Sequence, residues 1–103
     1  KQWLKHTSKS FGQIEVDLGA ANALQSTGAS LLAKGIKSTS GTFMRGDAVD
    51  ILVNDKIIGR GLCQYTHNEL ALIVGKESTE FEHLLGFKHK NEVIHRDDLV
   101  LFT

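Results

Sequence analysis

The chain has 103 residues, 41% of them apolar, with 12 Lys plus Arg against 12 Asp plus Glu and a formal net charge of zero. That length suits one domain with a modest core, and the charge balance excludes a uniformly basic nucleic-acid binder, whose affinity comes from neutralising phosphates. A single cysteine, Cys63, excludes an internal disulfide and a multi-cysteine zinc site.

The chain opens on Lys1 rather than Met, with no signal or transit segment and no apolar run long enough to span a bilayer. The expectation is a piece of a longer soluble, cytoplasmic parent that does not meet a membrane. Residues 1–13, polar and basic around Trp3, Leu4 and Phe11, read as an interdomain linker, and 14–103 as the domain proper. Ile14-Glu15-Val16 alternates as a short strand. Asp17 is a good N-cap for a helix whose Leu18, Ala21 and Leu24 form one apolar stripe, and Gly28 is placed to end it.

The stretch Ser30 to Ile36 reads as a tight apolar connection into a strand near Ile36–Thr39, followed by turns at 40–42 and 43–47. Val49, Ile51 and Val53 alternate as a half-buried strand, Asn54-Asp55 makes a tight hairpin, and the return strand runs from Lys56 to Tyr65. Gly59 and Gly61 within it predict a bulge or bend. Thr66-His67-Asn68-Glu69 has the capping-box pattern of a helix start, with Gly75 as its stop. Ser78 is placed to cap a further short helix that Gly86 ends. Residues 87–92 form a polar loop, and 93–95 and 99–101 the last β elements. The sum is a mainly β domain, a barrel-like sheet with three short helices at its ends.

The chain carries fragments of several chemical motifs, and none is complete. His95-Arg96-Asp97 matches the catalytic-loop tripeptide of protein kinases, but the Asn, Gly-rich loop and Asp-Phe-Gly that belong with it are missing, so a charged turn is the better reading. Gly59-Arg60-Gly61 lacks the third glycine and following helix of a dinucleotide fingerprint. Arg45-Gly46-Asp47 has ordinary turn composition. The five histidines show no metal-ligand spacing, and Cys63 beside Leu62 reads as a buried, inert thiol. No catalytic, cofactor-binding or metal-binding residue is assigned. Lys34 and Lys37 bracket Gly35, where a glycine permits close approach and flanking cations suit phosphate; with Arg60 these are the nucleic-acid-binding candidates.

The order of these pieces resembles a known module. Gly28-Ala29-Ser30-Leu31-Leu32-Ala33-Lys34-Gly35-Ile36, Phe43-Met44-Arg45-Gly46-Asp47-Ala48-Val49 and Ile58-Gly59-Arg60-Gly61-Leu62 are similar to the PUA domain, an RNA-binding module of some tRNA- and rRNA-modifying enzymes. Asp17-Leu18-Gly19-Ala20, Arg60-Gly61-Leu62-Cys63-Gln64-Tyr65 and Glu92-Val93-Ile94-His95-Arg96-Asp97-Asp98-Leu99-Val100-Leu101 resemble more narrowly the C-terminal PUA domain of bacterial glutamate 5-kinases. Ala33 stands where that family often has proline. The resemblance implies a pseudo-barrel of about six strands with short helices. It implies a non-catalytic accessory or regulatory domain. The parent would be a homo-oligomer that transfers phosphate from ATP, with Mg²⁺, to the side-chain carboxylate of L-glutamate, the first step of proline synthesis. That chemistry belongs to an amino-acid-kinase domain in the same parent chain. The alternative is an RNA-binding module of an RNA-modifying enzyme, with Lys34, Gly35 and Lys37 on its binding face.

Overall fold

The computed structural model describes residues 9–102; the part of the expected linker at 1–8 lies outside them. Five strands form one mixed sheet in the order β2-β1-β3-β4-β5. β1 (Gly12–Val16) begins two residues before the alternation at Ile14 becomes visible. It pairs antiparallel with β2 (Ile36–Gly41) and parallel with β3 (Ala48–Val53). β4 (Lys56–Leu62) pairs antiparallel with β3 on one side and with β5 (Leu99–Leu101) on the other. Ile14, Val16, Val49 and Ile51 face one hydrophobic core that also holds Phe43, Tyr65, Leu70 and Phe81.

The helices start and stop where their caps dictate. The Asp17 carboxylate accepts the Ala20 N–H at 2.7 Å to open α1 (Leu18–Thr27), and Gly28, left-handed at φ 66°, closes it. Ala21 and Leu24 are its buried face. The Thr66 hydroxyl accepts from Glu69 N–H at 3.1 Å while Glu69 accepts from Thr66 N–H at 2.9 Å, the full capping box of α2 (His67–Ile73). The cap of the next helix differs from expectation. A 3₁₀ turn at Ser78–Glu80 precedes α3 (Phe81–Leu85), and Glu77, not Ser78, exchanges bonds with Glu80. The extra turn moves the start of the ordered segment one residue back.

Three strand expectations also change. β3 is buried on both faces rather than half-buried: on the face opposite Val49 and Ile51, Leu52 is buried as well, and so is Asp50, which pairs across the ladder with Arg60. β4 ends at Leu62 instead of Tyr65. The segment 93–95 contributes a single bridge, Leu31 to Ile94, rather than a strand, so among the described residues the pseudo-barrel holds five strands and this bridge. That bridge is firm: Leu31 N–H donates to Ile94 O at 2.9 Å and Val93 N–H to Leu31 O at 2.8 Å.

The two glycines of β4 are explained by what crosses them. A Cβ at Gly59 would stand 2.6 Å from the Val100 carbonyl, and one at Gly61 only 2.5 Å from the Ile94 side chain. Their absence lets β5 and the bridge segment close down on the sheet. The hairpin has the tight form expected, with Asn54 and Asp55 both left-handed at φ 51° and 65°. No helix among the described residues is long and apolar enough to cross a membrane.

Candidate nucleic-acid interface

The first turn of α1 meets a short 3₁₀ turn, Ala33–Gly35, that leads into β2. Asp17 N–H donates to Gly35 O at 2.9 Å, so one residue caps α1 through its side chain and ties down the turn through its backbone. Gly35 sits so close to the helix that a Cβ there would lie 2.5 Å from the Ala20 Cβ. Ala33 is buried beneath, and its carbonyl accepts the Gly75 N–H at 2.8 Å. Between helix and turn is an open cleft of about 300 Å³ lined by Asp17, Gly19, Ala20, Leu32, Lys34 and Gly35.

The structure brings Lys34 and Gly35 together in this cleft and sets Lys37 two residues further along, exposed on the edge strand β2. Lys34 Nζ lies 3.3 Å from Glu77 Oε1, with both side chains more than half exposed. Such a pair contributes only about 0–1 kcal/mol, so the ammonium can exchange Glu77 for another anion. Lys37 makes no ion pair among the described residues.

Arg60 is not part of this group. It lies on β4, three places from β2 in the strand order, and its Nε donates to Asp50 Oδ1 at 2.8 Å with both side chains largely buried. Its guanidinium also covers the Phe102 ring at 5.8 Å from the centroid. Arg60 therefore holds the sheet together. Sequence reasoning missed the other half of the cleft, Gly19, Ala20 and Leu32. The signal available was the small Gly19-Ala20 pair next to a strong N-cap, which marks a helix end that another backbone can approach.

The remaining motif residues brace the fold. In the Arg45-Gly46-Asp47 turn, Asp47 Oδ2 accepts from Met44 N–H at 2.8 Å, and Arg45 reaches Glu69 with two bonds of 3.1 and 2.8 Å. That contact raises the Arg45 pKa through the Glu69 hydrogen bond. Partial burial works to raise the Glu69 pKa, but the bonds from Arg45 and Thr66 outweigh it and hold the carboxyl below its ordinary range. Phe43 N–H donates to His67 Nδ1 at 3.1 Å, and His67 N–H returns a bond to Phe43 O at 3.0 Å. Tyr65 is buried, with its hydroxyl bonded to the Lys90 carbonyl and accepting the Lys90 N–H at 3.0 Å. In the His95-Arg96-Asp97 turn, Asp97 N–H donates to His95 Nδ1 at 3.1 Å and Arg96 N–H to Ser30 Oγ at 2.8 Å. The first closes the turn, and the second ties it to the connection that follows α1. Cys63 is fully buried, and burial pushes its thiol up to about 11. Among the described residues no group of three His, Cys, Asp or Glu converges as a metal site.

Comparison with known proteins places these features. The PUA domain family model matches residues 12–85. The chain is 46% identical over 102 residues to glutamate 5-kinase 2 of Pseudoalteromonas translucida, a match that covers 98% of this chain and 28% of that protein. It is 44% identical over 104 residues to glutamate 5-kinase of Trichlorobacter lovleyi, covering 100% of this chain and 28% of the relative. Glutamate 5-kinase of Paramagnetospirillum magneticum is 47% identical, with 98% of this chain and 27% of the relative covered. The chain thus spans little more than a quarter of the length of the curated relatives it matches. Among solved structures it resembles a PUA domain from Aeropyrum pernix K1 in a tartrate complex, with TM-score 0.59, 25% identity, and 82% of this chain and 41% of that one covered. It also resembles a PUA domain protein from Thermoplasma acidophilum, with TM-score 0.55, 26% identity, and 73% and 50% covered.

Proposed function

The chain belongs to the PUA domain family, and we propose that it is the accessory, non-catalytic domain of a glutamate 5-kinase. One observation carries this reading. The family match stops at residue 85, yet similarity to the glutamate 5-kinases runs over 98–100% of the chain. The stretch that follows residue 85 supplies Val93, Ile94, Leu99 and Val100 to the interior, so the kinase relatives share the closing element of this particular fold. The parent is a cytoplasmic homo-oligomer that phosphorylates the side-chain carboxylate of L-glutamate with ATP and Mg²⁺ as the entry to proline synthesis. Its amino-acid-kinase domain does the chemistry and is this domain's covalent partner. The PUA domain's own part is assembly or regulation of that enzyme. The reading predicts no glutamate-dependent ADP release from the 103-residue chain alone; release above a no-enzyme blank, abolished by omitting glutamate, overturns it.

A second reading is supported by the cleft between α1 and the 33–35 turn. Lys34 and Gly35 line it, Lys37 follows on an exposed strand, and the Lys34–Glu77 pair is weak enough to exchange for a phosphate. As an RNA-binding module the chain would shift a structured tRNA at low salt and lose that shift in a Lys34→Ala, Lys37→Ala double variant. Unchanged tRNA mobility with excess protein at low salt rejects it.

A further inference from the structure

β5 is the last strand of the sheet, and its far edge meets no other strand among the described residues. Phe102 N–H donates to Ile58 O at 2.8 Å. The alternation of an antiparallel ladder then turns the backbone groups of Val100 toward β4 and those of Leu99 and Leu101 outward. Beside that edge lies a groove of about 230 Å³, floored by Leu24, Leu99 and Leu101 and bounded by Gly28 and Ala29 at the end of α1. Among the described residues the only charged one lining it is Arg96. Arg96 is exposed, and its backbone N–H serves Ser30, but its guanidinium has no ion pair or hydrogen bond among the described residues. The adjacent Asp97 is turned to His95, 3.5 Å away.

We propose that this edge and groove form a strand-addition site for an extended apolar segment of a partner protein that carries a carboxylate beside its apolar residues. The incoming strand bonds through its backbone to Leu99 and Leu101, lays an apolar side chain on the part-exposed Leu101 beside Gly28 and Ala29, and places its carboxylate on Arg96. Charge decides the occupant: an apolar groove with one unmatched guanidinium fits an acidic–apolar segment better than a neutral or basic one. A second copy of this chain fits worse. Antiparallel self-pairing of β5 about Leu99 sets Arg96 opposite Phe102 and Asp97 opposite Leu101, so neither charge meets its opposite.

The test is selection of random linear peptides displayed on phage against the 103-residue chain, with selected peptides measured by fluorescence anisotropy. Leu101→Pro removes an outward N–H and no ladder bond, which an edge strand tolerates. Selected peptides are expected to alternate apolar residues with at least one Asp or Glu and to lose all measurable binding to Leu101→Pro. Arg96→Gln is expected to weaken them about tenfold, the loss of one charge-assisted contact. Replacing the peptide's acid by its amide removes the difference between the parent chain and Arg96→Gln. Should Leu101→Pro fail to fold, the same peptides N-methylated at alternate residues test the backbone bonds from the other side, and these must not bind. Selection that yields no binder, or binders indifferent to both Leu101→Pro (or N-methylation) and Arg96→Gln, overturns the proposal. So does a concentration-dependent dimer in light scattering that Leu101→Pro abolishes, which assigns the edge to a second copy.

Discussion

Replacing Gly35 by Ala isolates the contact that shapes the α1 cleft. The added Cβ stands 2.5 Å from the Ala20 Cβ. Carbon atoms rest at about 3.5–4.0 Å, so helix and turn must part by roughly 1 Å or more. That movement strains the 2.9 Å bond from Asp17 N–H to Gly35 O and displaces Ile36, which is buried. Gly35 is not in the left-handed region, so the loss reports crowding and not backbone conformation. Overpacking of this kind costs about 1–3 kcal/mol. Ala20→Gly removes the facing methyl and by itself costs up to about 1 kcal/mol in helix propensity. In the double variant the clash is gone, so the two losses do not add, and the coupling is about 1 kcal/mol or more in favour of the pair. Urea unfolding followed by circular dichroism at constant m-value measures each corner of the cycle. A Gly35→Ala loss below about 0.5 kcal/mol, or strict additivity with Ala20→Gly, refutes the packing argument.

Three other outcomes follow from the geometry. Asp50→Ala removes the carboxylate that Arg60 Nε bonds in a largely buried site and is expected to cost about 1.5–3 kcal/mol in urea unfolding, whereas Asp50→Leu with Arg60→Met recovers most of that loss. Because the folded-state Glu69 pKa is depressed, its contribution is present above the unfolded carboxyl pKa and is lost as pH falls through the lower folded value. Glu69→Gln should therefore flatten the acid limb of a stability–pH curve and leave its slope between neutrality and mild alkali unchanged. The Cys63 thiol, with burial raising it to about 11, should react with an aromatic disulfide reagent at mildly alkaline pH only as fast as the domain opens, and rapidly in concentrated urea. Prompt stoichiometric labelling of the folded chain contradicts the burial assigned to it.

Local chemistry made most of the fold readable. Asp17, Thr66 with Glu69, Gly28 and Gly86 each act on backbone groups within five residues, and all four sites behave as the sequence indicates. The Asn54-Asp55 turn belongs to the same class. What the sequence concealed depends on residues far apart in the chain. The burial of Asp50 becomes intelligible only with Arg60 opposite it, and Gly59 and Gly61 only with Val100 and Ile94 laid across them. The segment 93–95 has a strand's composition, but Leu31 offers it only one bridge, so it does not become a strand. In the cleft, Lys34, Gly35 and Lys37 could be picked out because cations around a glycine form a local pattern. Arg60 has the same side chain charge and a similar setting in sequence, yet its carboxylate partner ten residues earlier commits it to the sheet.

The central claim is that this domain serves a glutamate 5-kinase, and exchange of domains tests it most directly. The chain is grafted in place of the matching 28% of Pseudoalteromonas translucida glutamate 5-kinase 2, to which it is 46% identical. Glutamate-dependent ADP formation is then compared among the graft, the intact enzyme and an enzyme lacking the segment. The account predicts that the graft assembles to the same size as the intact enzyme and matches its turnover more closely than the truncated enzyme does. A graft that is soluble and folded, yet indistinguishable from the truncated enzyme in assembly and turnover, contradicts it.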